Sequence, residues 1–181
     1  MQVLWEEMTE PELVRVRSGD CAFVADARHF PVLVITWWGA ADEALIRRYF
    51  EWSDAMLARA AAEDTKLAFI SDNRASKRPP AHVRALTAEL TDQTGDELSN
   101  RSVTTIIVLD SALVRGALTA IQWLSARPWD LTMCGDIETA LSKALQLLEA
   151  ADVPPPPRLD PARYTTPQMP TVDGESSAAT G

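Results

Sequence analysis

The stretch CAFVADARHFPVLVITWWG, residues 21–39, decides how the rest of the chain is read. Two runs rich in β-branched and aromatic residues, CAFVAD (21–26) and PVLVITW (31–37), flank the four residues ARHF. Each run has the composition of a short strand, and so short a link cannot form the crossover of about a dozen residues that parallel neighbours require. The pair is therefore a hairpin. Gly39 ends its second strand and Asp42 is placed to cap a helix, because Leu45, Tyr49, Trp52, Met56 and Ala60 recur at helical spacing as far as Ala62. An antiparallel hairpin feeding a helix predicts a mixed sheet.

Toward the C-terminus, strand-like and helical patterns alternate. KLAFIS (66–71) reads as a strand and DNRASKRPP (72–80) as a polar loop; Pro79 and Pro80 suit the first turn of a helix whose apolar face is Val83, Leu86 and Leu90. Gly95 opens a polar connector. VTTIIVL (103–109) is the longest β-branched run, hence the expected central strand buried on both faces. Leu113 or Val114, Ala117, Leu118, Ile121 and Leu124 form the next helical stripe, stopped before Pro128. DLTMC (130–134) is a last short strand, and Gly135 with Asp136 turns into a helix carrying Ile137, Leu141, Ala144, Leu145 and Leu148. From residue 21 the order is β-β-α-β-α-β-α-β-α, an α/β fold with a mixed sheet covered by helices. Residues 1–20 are expected to form an N-terminal arm or edge strand and 21–153 the domain. Residues 154–181, PPPPRLDPARYTTPQMPTVDGESSAATG, hold few large apolar groups and read as a disordered Pro-rich tail.

Composition narrows the function classes. Of 181 residues 46% are apolar and 24% charged, the proportions of an ordinary globular protein. The net charge of −9, with 17 Lys plus Arg and no dense basic block, argues against binding a nucleic-acid backbone. Arg74, Lys77 and Arg78 form a local basic cluster. The two cysteines, Cys21 and Cys134, lie in apolar surroundings and suit a reducing compartment. The start MQVLWEEMTEPEL lacks the basic and apolar regions of a signal peptide, and no run reaches the roughly 18 apolar residues of a membrane span, so the expected location is the cytoplasm.

The element order, together with LVRGALTAIQWLSARPW and DIETALSKALQLL, resembles the STAS fold of anti-sigma-factor antagonists, and particularly its SpoIIAA-like branch. The resemblance covers about residues 21–150. It implies a protein that acts by binding another protein. In the phosphoswitch members of that family a serine in a DSSG-like motif opens the helix after the third strand, and phosphate there adds charge and blocks docking. The slot here is residues 72–80, where Ser76 is the available serine, beside Arg74, Lys77 and Arg78, and the DSSG motif is absent. The local look-alike, Asp110-Ser111, lies one strand and one helix later; capping of the following helix is sufficient reason for either residue.

Catalytic patterns are missing. No phosphate-cradling glycine loop, nucleophile elbow or metal-ligand spacing occurs, so no cofactor and no metal are expected. Ser111, His82 and Asp72 all fall near strand ends, an arrangement that chance supplies more often than catalysis does. Cys134 would have a lowered thiol pKa only if it faced a helix N-terminus. The sequence thus predicts a non-catalytic cytoplasmic protein that binds a protein partner of unknown identity, with a homodimer as one form this could take. The alternative is a carrier or sensor of a small apolar ligand or lipid, held in a groove lined by some of Trp37, Trp38, Trp52, Trp123 and Trp129, as in carriers of the related CRAL-TRIO fold.

Overall fold

The computed structural model describes residues 4–10, 12–109 and 131–169, the first of these segments as backbone. The seven described strands form one sheet in sequence order: β1 (Leu4–Glu10), β2 (Leu13–Ser18), β3 (Cys21–His29), β4 (Val32–Gly39), β5 (Leu67–Ser76), β6 (Ser102–Val108) and β7 (Leu131–Cys134). The first four are antiparallel neighbours and the last four are parallel ones, so β4 sits at the switch between the two halves. The hairpin expected around ARHF is β3–β4, and the residues before it contribute two strands. Three described helices cover the sheet: α1 (Glu43–Ala62), α2 (Ala81–Arg101) and α3 (Ile137–Ala150). The sequence-predicted helix across residues 113–124 lies outside the described residues.

Side-chain alternation divides the core in two. Phe23, Leu33, Ile35, Trp37, Leu67 and Phe69 point to the face under α1 and α2. Val32, Val34, Ala68, Ile70, Ile106 and Val108 point to the other, under Leu141, Ala144 and Leu148 of α3. Because the order β4–β5–β6 never reverses, crossovers of one hand place α1 and α2 together. Trp37 and Trp38 accordingly fall on opposite faces, the first buried and the second half-buried.

Local signals set the helix starts. Asp42 accepts the Leu45 N–H at 2.8 Å and also the Ser18 hydroxyl, tying α1 to the end of β2. Asp136 accepts the Thr139 N–H at 2.7 Å and its hydroxyl at 2.9 Å. Gly39 leaves β4 at φ +68°, and a Cβ there would stand 2.5 Å from the carbonyl oxygen of Asp20. Both strain and collision follow, so Gly39→Ala is expected to lower stability by about 3 kcal/mol, whereas Gly135→Ala, which meets nothing within 4 Å, should stay within about 0.5 kcal/mol. Thermal denaturation of the two variants side by side checks this; equal melting temperatures would contradict it.

Four expectations need correction. β5 runs through Ser76, so residues 72–76 are strand and not loop, because Ala75 and Ser76 pair with Trp38 and Gly39 of β4. Helix α2 continues through Gly95 to Arg101 and leaves no connector. β6 is next to last, and its pairing with β7 begins only at Thr105; the central strand is β4, buried from Val32 to Trp37. Residues 154–169 lie on the domain instead of trailing from it. After α3 the Val153 N–H reaches the Leu148 carbonyl at 2.9 Å and the Asp152 N–H the Glu149 carbonyl at 3.1 Å, with Asp152 at φ +58°. This Schellman turn sends Val153 into the core and aims the chain back across the sheet. Leu159 and Tyr164 then pack on the α3 face, and the Tyr164 hydroxyl donates to Asp26 at 3.0 Å.

Candidate functional site

A cavity of about 160 Å³ lies between α1, α2 and strands β4–β6, on the face that holds Trp37. One wall is aromatic. Trp37 and Tyr49 meet edge to face at 5.3 Å between ring centres, Tyr49 and Phe50 at 5.2 Å, and Phe23 backs Trp37 at 5.1 Å. Ile35, Phe69 and Ile107 of the sheet form the floor. Tyr49 keeps some surface on the cavity side, while its phenol is deep enough that burial pushes its pKa up to about 12; a hydrogen bond from Ser53 works in the opposite sense.

The wall from α2 consists of Thr87, Thr91, Thr94 and Leu98, spaced along one side of the helix. The Thr87 hydroxyl donates to the Val83 carbonyl at 2.8 Å, Thr91 to Thr87 at 2.8 Å and Thr94 to Leu90 at 3.2 Å. With their oxygens turned back onto the helix, the threonines contribute methyl groups to the cavity. Its polar end is equally self-contained. Ser71 Oγ accepts from Trp37 Nε1 at 3.1 Å and from Asn73 Nδ2 at 2.9 Å, and the same amide nitrogen of Asn73 also reaches the Ser71 carbonyl at 3.0 Å. Gly39, Ser76, Lys77 and Pro79 stand at the carboxyl ends of β4 and β5, where open α/β sheets generally bind ligands.

Three of the residues singled out in the sequence, Trp37, Ser76 and Lys77, therefore belong to this cavity. Ser76 is half-buried and donates its hydroxyl to the Asn73 carbonyl at 2.8 Å; Lys77 is exposed, its backbone N–H held by the Gly39 carbonyl at 2.8 Å. Arg74 lies on the other face, where its guanidinium grips the buried Asp72 at 2.7 and 3.0 Å. Arg78 is exposed. Asp110 and Ser111 lie outside the described residues. His82, 67% exposed beside Glu43, is on α2 and so across the sheet from Asp72, which separates two members of the Ser/His/Asp set considered above. Burial pushes the Cys134 thiol up, against the lowered value that a helix N-terminus would produce.

A second arrangement escaped the sequence reading. Asp26 and Asp72, on strands flanking β4, each hold the arginine two residues on through its backbone N–H and both ends of its guanidinium. The shared signal is Asp-x-Arg at the end of an apolar run, DAR at 26–28 and DNR at 72–74. Burial alone would raise the Asp26 pKa, but the hydrogen bonds and charge of Arg28, with the Tyr164 hydroxyl, hold it below the usual carboxylate range. Tyr164 is pushed well up by burial and by Asp26. The Asp26 pair seats Tyr164 of the C-terminal segment, while the cavity is on the opposite face.

No group of acidic, histidine or cysteine side chains that could hold a metal occurs among the described residues, and no helix among them is long and apolar enough to cross a membrane. No family model matches the chain, and no curated protein matches it. Among solved structures it is similar to an uncharacterised protein of the DUF3478 family, with a SpoIIAA-like fold, from Shewanella loihica PV-4. The two are 12% identical over 79% of this chain and 93% of the other, with a TM-score of 0.45. The described topology is the α/β mixed sheet with helices on both faces that the SpoIIAA-like reading predicts.

Proposed function

We propose that this chain is a non-catalytic binding module that holds a small apolar ligand between α1, α2 and the sheet, in the cytoplasm. The observation that carries this reading is the cavity itself: a walled, largely aromatic and methyl-lined space in which Trp37 Nε1, Ser71 Oγ and the hydroxyls of Thr87, Thr91 and Thr94 are hydrogen-bonded within the protein. An apolar cavity of about 160 Å³ is the size that holds one benzene-like molecule. Of the chemistry an enzyme would need, the described lining contains one charged side chain, Lys77, and neither histidine. Docking of a protein partner at Ser76, Lys77 and Arg78 has less support. Ser76 is committed to a strand and to the Asn73 carbonyl, and Arg74 faces away.

The test is a thermal shift with toluene, compared between wild type and Thr91→Leu. Leucine adds bulk at a position 6% exposed, within the α2 wall, and should fill the space. Ligand at about 100 times its Kd stabilises by roughly 2.7 kcal/mol, which is several degrees in Tm for a chain of this length. The expected result is a shift for wild type that Thr91→Leu abolishes while still melting cooperatively. Equal responses, or no response in either, would defeat the reading.

A further inference from the structure

We infer that the natural occupant is a short apolar carboxylate, its hydrocarbon or aryl part among Trp37, Tyr49 and Phe69 and its carboxylate at Lys77; this rests on the cavity being a ligand site, as proposed above. Charge at the mouth selects the head group. Lys77 is the single charged residue of the described lining, and it stands at the carboxyl ends of β4 and β5 beside Ser76 and Gly39. It forms no salt bridge with any described residue. The acids at the start of α1 have other engagements: Asp42 accepts from the Leu45 N–H and the Ser18 hydroxyl, and Glu43 stands beside His82. The first turn of α2, which follows Lys77 after Pro79 and Pro80, carries no acidic residue. An anionic head therefore meets a cation that no described residue pairs.

The overall charge of −9 does not cancel this preference, because charges beyond about 8 Å are screened at physiological ionic strength. The remaining lining discriminates against polar bodies. The Ser71 oxygen and both Asn73 amide contacts are committed to each other and to Trp37, and the threonine hydroxyls of α2 are committed to its backbone. A molecule with hydroxyl or amide groups along its length would lose their hydration with little return. Size limits the body to about one ring or a comparable branched chain. The chemical class is an aryl or short branched alkyl carboxylic acid in its ionised form.

Calorimetric titration of the full chain with phenylacetate, phenylacetamide and toluene separates the head group from the cavity. The expected result is that phenylacetate binds at least 5-fold more tightly than the amide, that Lys77→Met removes this advantage, and that Lys77→Arg retains most of it. Added salt should weaken phenylacetate and leave toluene unchanged. If all three probes bind alike and Lys77→Met changes none of them, the carboxylate inference is wrong while the ligand site stands. If none binds, both are wrong.

Discussion

Ending the chain after Val153 is expected to lower the melting temperature by about 6–12 °C, although the segment removed is rich in proline and poor in apolar residues. Two half-buried side chains, Leu159 and Tyr164, leave the α3 face of the sheet. Each contributes on the order of 1–2 kcal/mol of burial. The Tyr164 hydroxyl also leaves Asp26, a hydrogen bond to a charged acceptor of about 1.5–3 kcal/mol. Ordering the segment offsets part of this, less than for an ordinary chain because its prolines restrict the unfolded state. A net loss near 3 kcal/mol, at roughly 2–4 °C per kcal/mol for a chain of this length, gives the stated fall. Tyr164→Phe, which removes only that hydrogen bond and leaves the segment in place, should lose about 1.5–3 kcal/mol, half or more of the same fall. Differential scanning calorimetry of both variants is decisive: an unchanged Tm after truncation would mean that residues 154–169 are not part of the folded unit.

Replacing Asp26 carries the second large effect, and it depends on pH. The carboxylate is 1% exposed and receives the Arg28 backbone N–H at 3.1 Å, the guanidinium at 2.9 Å twice and the Tyr164 hydroxyl at 3.0 Å. Removing one partner of a buried pair costs about 3–5 kcal/mol. Arg28 keeps 35% of its side-chain surface in water and can be rehydrated, so Asp26→Asn should cost nearer 2 kcal/mol at pH 7. The folded-state pKa of Asp26 lies below the unfolded one, hence its charge stabilises the fold above the ordinary carboxylate value near 3.9 and ceases to do so as pH falls through the lower folded value. Urea unfolding should show the gap between wild type and Asp26→Asn full at pH 7, shrinking below pH 4. A gap that is constant from pH 7 to pH 2.5 would show that shape, and not charge, makes the difference.

What could be read from the sequence is local chemistry. The β3–β4 hairpin, the Asp42 and Asp136 caps and the stripe of α3 each depend on residues within a few positions of one another. What could not be read depends on distant partners. β5 extends to Ser76 because β4 offers Gly39 as a pairing partner, and nothing within residues 72–80 announces this. Tyr164 meets Asp26 across 138 positions, so a tail judged by average composition hides the two side chains that hold it down. The α2 wall was missed for a different reason. Threonine counts as polar in any periodicity, yet at 87, 91 and 94 its hydroxyl is spent on the helix and a methyl faces the cavity. Of the site, Trp37, Ser76 and Lys77 were singled out from the sequence, but only the fold brings them to one cavity.

The most direct test of the ligand-binding reading is native mass spectrometry of the full chain purified gently from the cells that make it. Wild type is expected to carry one small molecule, an excess on the order of 100–150 Da for a ligand that fills such a cavity, released on denaturation. Thr91→Leu purified in parallel should fly at the bare chain mass. A wild-type protein that is bare in every preparation, or a Thr91→Leu protein carrying the same excess, would contradict the claim that this cavity is what the protein uses.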